Sequence, residues 1–273
     1  MEATLPQQKE KKSSLPDGAA QTLEGRLLCA SHASYNISQP YFRGATYLPH
    51  TTAKRVSRSI NSVLIGYTVD GIVLAFRGTI FDSALDWFQN AAVLLSPGDK
   101  KDGIPGSVHV GFYRAVKSLW KGVKSVLLQF LQDHSSPYNN NETQNVYLTG
   151  HSKGGALATL AALLMHNDAS LPNPTSVITF GSARVGDKQF KVGYESLVKQ
   201  ITFENDLDII PFLPLSNTDR EFMNEKMKDK MDSMLWPKNT RNQKYKWGYQ
   251  PIGQRKYIQF DNSTYTILDD TDG

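Results

Sequence analysis

Gly150, Ser152 and Gly154 stand within the stretch VYLTGHSKGG, behind strand-forming residues and ahead of an apolar helical run. A serine turned out of a sheet on such a strand-to-helix bend is arranged for nucleophilic attack. Positions 150 and 154 need glycine because strand and helix nearly touch there. The helix that begins here aims its first N–H groups and its positive dipole end at the reaction centre. A tight turn with no chemistry satisfies the same G-x-S-x-G pattern, so the motif alone decides little. A serine nucleophile also needs a base to take its proton, and the usual base is histidine. The chain offers His32, His50, His109, His134, His151 and His166.

The surrounding elements read as alternating strands and helices. TLEGRLLCASHASY (22 to 35) spaces its apolar residues for a covering helix, and residues 62 to 78 form two apolar strands around the turn pair Asp70-Gly71. From Gly111 to His134, Phe112, Val116, Leu119, Val123, Val126, Leu127, Phe130 and Leu131 make one helical stripe with lysines largely opposite. NVYLT is a buried strand, and GALATLAALLMHN is a helix apolar on nearly every side. SVITFGSARVGD and VKQITFENDLDIIPFLP each supply a further strand that runs into turn-rich residues, and RKYIQFDNSTYTIL reads as a final strand pair. Such alternation implies a mostly parallel sheet with its functional groups at the carboxyl ends of the strands. Residues 1 to 20 form a polar leader, and 21 to 273 a single domain carrying a Lys-rich insertion at 215 to 246. Met223, Met227, Met231 and Met234 recur there at helical spacing, a packing stripe rather than a lipid-contact face.

Bulk properties narrow the function. With 273 residues and 40% hydrophobic content the chain can bury a full α/β core. The 30 basic and 26 acidic residues leave a net charge of only +4, too small and too evenly spread for nucleic acid. Cys29 is the only cysteine, which excludes an internal disulfide and suits a buried thiol. No His/Cys cluster has zinc spacing and no Gly-rich loop suits phosphate, so neither metal nor cofactor is expected. The polar leader is no secretory signal, and no apolar run reaches the roughly 18 residues of a membrane span, so a cytoplasmic location is expected.

Six blocks together resemble the class 3 lipases, the fungal-lipase-like branch of the α/β-hydrolases. In order they are AFRGT (75 to 79), DWFQN (86 to 90), VHVGFYRA (108 to 115), LTGHSKGG (148 to 155), TFGSARVGD (179 to 187) and DIIPFLP (208 to 214), with a weaker match in WGYQPIGQRKYI (247 to 258). The resemblance implies an α/β-hydrolase fold, with a mostly parallel central sheet flanked by helices. It also implies hydrolysis of carboxylic esters of lipids, such as acylglycerols, through an acyl-enzyme. Carried onto this chain, Ser152 is the nucleophile, and the oxyanion hole is formed by Thr79 and the backbone N–H of Lys153. The family more often has an apolar residue at 153; a solvated surface lysine is the expectation here. Asp208 matches the acidic triad member, with Asp206 as fallback. The segment from Ile80 to Asn90, with Asp82 and Asp86, falls where the family places its lid, and peripheral contact with a membrane or lipid-droplet surface follows as an option. A phospholipase or thioesterase differs only in the acyl substrate.

The histidine is the gap. In α/β-hydrolases it follows the acid in the chain, yet all six histidines precede Asp208. His151 adjoins the serine, and its ring should point away from the hydroxyl on so sharp a turn. His109 matches a structural histidine of the family, while His134 and His166 end helices. Two explanations compete: a sequence incomplete at its C-terminus, or a catalytically impaired hydrolase-fold module that binds lipid or protein. The intact elbow and oxyanion turn favour the first.

Overall fold

The computed structural model describes residues 22–36, 53–79, 95–133, 144–205, 208, 210–214, 248–261 and 264–270. The leader, Ile80 to Asn90 with Asp82 and Asp86, Asp206, the methionine stripe, His50 and His134 lie outside the described residues.

Helix α1 (Leu23–Ala33) starts at Thr22, whose hydroxyl accepts the Gly25 N–H. Strand β1 (Lys54–Arg58) pairs antiparallel with β2 (Asn61–Thr68), and β2 pairs with β3 (Gly71–Phe76) across the expected Asp70-Gly71 turn. Gly71 is required there: its φ is +137° and a Cβ would lie 2.4 Å from the Asn145 carbonyl oxygen. β1 has no counterpart among the strands expected from sequence, because Lys-Arg-Val-Ser-Arg offers one apolar residue in five. A small separate ribbon of β4 (Leu95–Pro97) and β5 (Ser107–His109) leads into the long helix α2 (Val110–Gln132). His109 caps α2, its Nδ1 accepting the Phe112 N–H, which is the structural role expected of it.

β6 (Val146–His151), helix α3 (Lys153–His166), β7 (Ser176–Phe180), helix α4 (Lys188–Glu195), β8 (Gln200–Asn205), β9 (Gln254–Asp261) and β10 (Thr264–Asp269) complete the chain. The eight-stranded sheet runs β1-β2-β3-β6-β7-β8-β9-β10. β3, β6, β7, β8 and β9 are mutually parallel, and antiparallel neighbours close both edges. This is the mostly parallel sheet flanked by helices that the sequence implied.

Two apolar layers hold it. On one face α3, buried along Lys153 to Met165, packs on the sheet beside α2, whose Phe112, Val116, Leu119, Val123, Leu127 and Phe130 are the buried part of the predicted stripe. On the other face α1 packs Leu27, Ala30 and Ala33 against Leu64, Val73, Ala75 and Ile178. Cys29 is buried in α1. Among the described residues no helix is long and apolar enough to cross a membrane.

Candidate active site

The parallel strands deliver the expected residues to one end of the sheet. β3 runs out through Arg77 and Gly78 to Thr79, and β6 ends at His151 before Ser152. β7 ends at Phe180 before Gly181, and β8 runs towards Asp208. These are carboxyl ends of adjacent strands, where open α/β sheets place their functional groups.

Ser152 holds φ 57° and ψ −128°, a left-handed conformation that costs a residue with a side chain of order 1–3 kcal/mol. The surroundings keep it there. Its N–H donates to the Phe180 carbonyl at 3.1 Å, and its own carbonyl accepts from Gly155 at 3.0 Å. A Cβ on Gly150 would stand 2.3 Å from the Gly154 carbonyl carbon. A Cβ on Gly154 would stand 2.2 Å from the Phe76 carbonyl oxygen and 2.9 Å from the Gly78 nitrogen. The elbow is thus pressed backbone to backbone against the strand that leads to Thr79. Lys153 opens α3, so its N–H lies in the first helical turn, where N–H groups have no intrahelical acceptor.

The Thr79 hydroxyl is buried and has no hydrogen-bond partner among the described residues. An unsatisfied buried hydroxyl costs about 1–3 kcal/mol, so its retention suits a group that meets an oxygen only when ligand is present.

Asp208 and His151 both border Gly181. A Cβ at Gly181, which has φ +52°, would lie 2.6 Å from Asp208 Oδ2 and 3.6 Å from His151 Nε2. Asp208 is itself held by the Ile210 N–H, donated to its Oδ1 at 2.9 Å. On its other nitrogen, His151 Nδ1 lies 2.8 Å from the Tyr35 hydroxyl. Burial pushes that hydroxyl up to about 12, opposed in part by the Gly78 N–H beside it. Burial holds His151 below its ordinary value, and the Asp208 carboxylate opposes that in part. Tyr35 thereby joins α1 to both the oxyanion strand and the elbow. Nothing local in the sequence marks it; its partner His151 is 116 residues away.

His151 turns to Tyr35 and Asp208, His109 caps α2, and His166 ends α3. Among the described residues no histidine nitrogen bonds the Ser152 hydroxyl.

Lys153 requires a correction. Its side chain is 2% exposed, not solvated, and Nζ donates to Asn61 Oδ1 at 3.1 Å. Burial, then the charge of Arg77, lowers it from 10.5 to about 8. Arg77 is itself buried, and its Nη2 donates to the Ile60 carbonyl at 2.7 Å. The lysine folds inward because β2 begins at this end of the sheet, one strand beyond β3, and offers the Asn61 amide oxygen there.

Comparison with known proteins agrees with this geometry. The family model described as Lipase (class 3) matches residues 73–218. A lipase of Caenorhabditis elegans, ZK262.3, is 30% identical over 201 residues, covering 69% of this chain and 54% of that protein. Phospholipase A1-II 3 of Oryza sativa subsp. indica is 30% identical over 174 residues, covering 51% and 38%. This chain therefore spans about half, or less, of those relatives. Among solved structures, a lipase from Rhizopus microsporus var. chinensis superposes with a TM-score of 0.65 at 20% identity, covering 90% of this chain and 77% of that one. Lipase II from Rhizopus niveus gives 0.62 at 21% identity, covering 89% and 81%. Those two share the α/β-hydrolase fold with it, and the family match, which takes in the oxyanion strand, the elbow and Asp208, shows that the chain belongs to the class 3 lipases.

Proposed function

We propose that this protein hydrolyses carboxylic esters of lipids through an acyl-enzyme on Ser152. The observation that carries the proposal is the elbow itself: a serine held at positive φ and locked by glycine contacts to the strand that ends in Thr79. In that arrangement Ser152 Oγ attacks the acyl carbonyl. Thr79, through its N–H and its hydroxyl, and the Lys153 backbone N–H receive the oxyanion. Each such donor supplies roughly 3 kcal/mol to the transition state. Asp208 orients an imidazole and stabilises its cation. The relatives bear the names lipase and phospholipase A1, and one is a secreted mono- and diacylglycerol lipase of Gibberella zeae. Acylglycerols and phospholipids are accordingly the substrate classes. Docking at a lipid surface fits the same chemistry, and one structural neighbour, a fungal lipase bound to an inhibitor, is a model for interfacial activation in lipases.

The proton acceptor is the role no described residue fills in contact with Ser152. That favours a second reading, a hydrolase-fold module that binds lipid or protein without turnover. The covalent step separates the two. An oxyanion hole without a complete triad still gives about 10³–10⁴-fold catalysis over water, enough for slow labelling by an activated fluorophosphonate. The expected result is labelling abolished in Ser152→Ala, with little turnover of p-nitrophenyl butyrate. Labelling that survives Ser152→Ala removes the serine from the mechanism. Robust Ser152-dependent turnover would instead place the base on one of the six histidines, which His→Ala changes would identify.

A further inference from the structure

Lys153 is in a costly place. A cation in the first turn of a helix opposes the helix dipole. Its side chain is also withdrawn from water and lies within the field of the Arg77 guanidinium. A solvated conformation would avoid all three costs, yet the ammonium is tied to Asn61 instead.

The path of the side chain is informative. Ser152 and Lys153 follow β6, Asn61 opens β2, and β3 lies between them in the sheet. The lysine stem therefore crosses the carboxyl end of β3. Extending the β2–β3 register from Val63↔Phe76 by two residues sets Asn61 opposite Gly78, one residue before Thr79. The Arg77 N–H, bonded to the Ser62 carbonyl at 2.9 Å, fits that extension. The ammonium thus braces both margins of the oxyanion strand: the elbow on one side and the start of β2 on the other.

We propose that Lys153 is a positioning residue for the oxyanion centre, pinning the strand end that bears Thr79 to the elbow and holding positive charge beside the oxygen that turns negative. This rests on Ser152 as nucleophile. A fixed charge of this kind strengthens the transition state more than the neutral ester, which is the requirement for catalysis.

The charge should then be readable in pH. Among the described residues Arg77 after β3 acts on the Lys153 ammonium directly, while Arg55 on β1 and Tyr35 after α1 lie within the field of Arg77 and His151 bonds Tyr35. Guanidinium groups as a class do not titrate between pH 7 and 9.5. Tyr35 is held near 12, and His151, below its ordinary value, is neutral above pH 7. Of these groups only Lys153 changes charge between pH 7 and 9.5.

The test is the rate of Ser152 modification by an alkyl fluorophosphonate at pH 7 and pH 9.5, in wild type, Lys153→Met, Lys153→Arg and Ser152→Ala. At pH 7, Lys153→Met should react about tenfold more slowly than wild type, and at pH 9.5 the two should converge to within about twofold as the lysine loses its proton. Lys153→Arg stays charged, so its rate relative to wild type should rise by a similar factor across the same interval. That ratio gives the answer even if the methionine variant fails to fold. A Lys153→Met deficit that is the same at both pH values, or absent, overturns the inference, as does a pH-independent arginine ratio. Absence of any Ser152-dependent labelling in wild type sinks the serine assignment itself, a separate result.

Discussion

Gly154 and Phe76 touch through their backbones: a Cβ at 154 would stand 2.2 Å from the Phe76 carbonyl oxygen. Neither partner can move without moving a whole element, since one belongs to α3 and the other to β3. The same contact sets the distance between nucleophile and oxyanion strand. Site geometry and fold stability are therefore inseparable at this glycine.

Gly154→Ala should accordingly cost about 3 kcal/mol or more, the upper end for overpacking, because no flexible side chain can yield. Gly122→Ala in α2 is the control. Its Cβ would meet Val56 Cγ1 at 2.7 Å, a side chain that can rotate. The helix gains roughly 1 kcal/mol of propensity in compensation, so a near-neutral change is expected. Urea unfolding of both variants checks the pair, and equal destabilisation would mean the elbow is not under contact strain.

Asp208 and His151 offer a second measurement, independent of turnover. The carboxylate raises the His151 imidazole against the burial that lowers it. Asp208→Asn removes the raising influence, so the imidazole titration should move further down in an NMR pH series. Gly181→Ala should move it the same way, because the added Cβ displaces Asp208 Oδ2 from 2.6 Å. A His151 titration unchanged by both substitutions would show that Asp208 does not act on this ring.

Legibility in the sequence tracked locality. The elbow can be read because its demands fall within five residues, Gly150 to Gly154, and its flanks carry strand and helix patterns of their own. The Asp70-Gly71 hairpin and the α2 stripe are equally local. Lys153 defies the expectation of a solvated side chain because its burial depends on Asn61, 92 residues earlier, and on β3 and β2 lying in that order next to the elbow strand. Tyr35 is invisible in the sequence for the same reason. β1 lacks the apolar alternation of a strand, since its edge position leaves most of its side chains towards solvent. Polar groups placed by tertiary contact leave no periodic trace.

His109 should set an acid limb of stability. It is fully buried, and burial lowers it from 6.5 to about 4. The unfolded chain therefore binds a proton that the folded chain refuses in that interval. Stability is complete above about pH 6.5 and falls as pH drops towards 4, by roughly 3 kcal/mol. His109→Asn keeps an acceptor for the Phe112 N–H but removes the titration. Its baseline should drop, since the ring stacks on Phe112 at 4.1 Å. Its unfolding free energy should nonetheless vary less between pH 7 and pH 4.5 than that of wild type; an equal slope would assign the acid limb elsewhere.

Glu204 should act in the opposite sense. It points into the core from β8, 4% exposed, and is raised from 4.5 to about 6. Burial is the leading cause, and it outweighs the two guanidiniums, Arg255 and Arg184, that favour the anion. The geometry explains why the pairing is insufficient: Arg255 Nε stands 4.0 Å from Glu204 but 3.1 Å from Asp270, so the nearer carboxylate takes most of its charge. Asp270 and Asp208 push Glu204 up further. For a carboxyl raised in the fold, stability is full below about pH 4.5 and is lost as pH rises through 6, by about 2 kcal/mol at pH 8. Glu204→Gln preserves the shape and removes the charge. It should be more stable than wild type by about 1–2 kcal/mol at pH 8 and nearly equal to it at pH 4.5, because the native side chain is then protonated. Denaturant midpoints at the two pH values check this. A Gln variant weaker than wild type at pH 8 would mean that the arginines need the anion more than the core resists it.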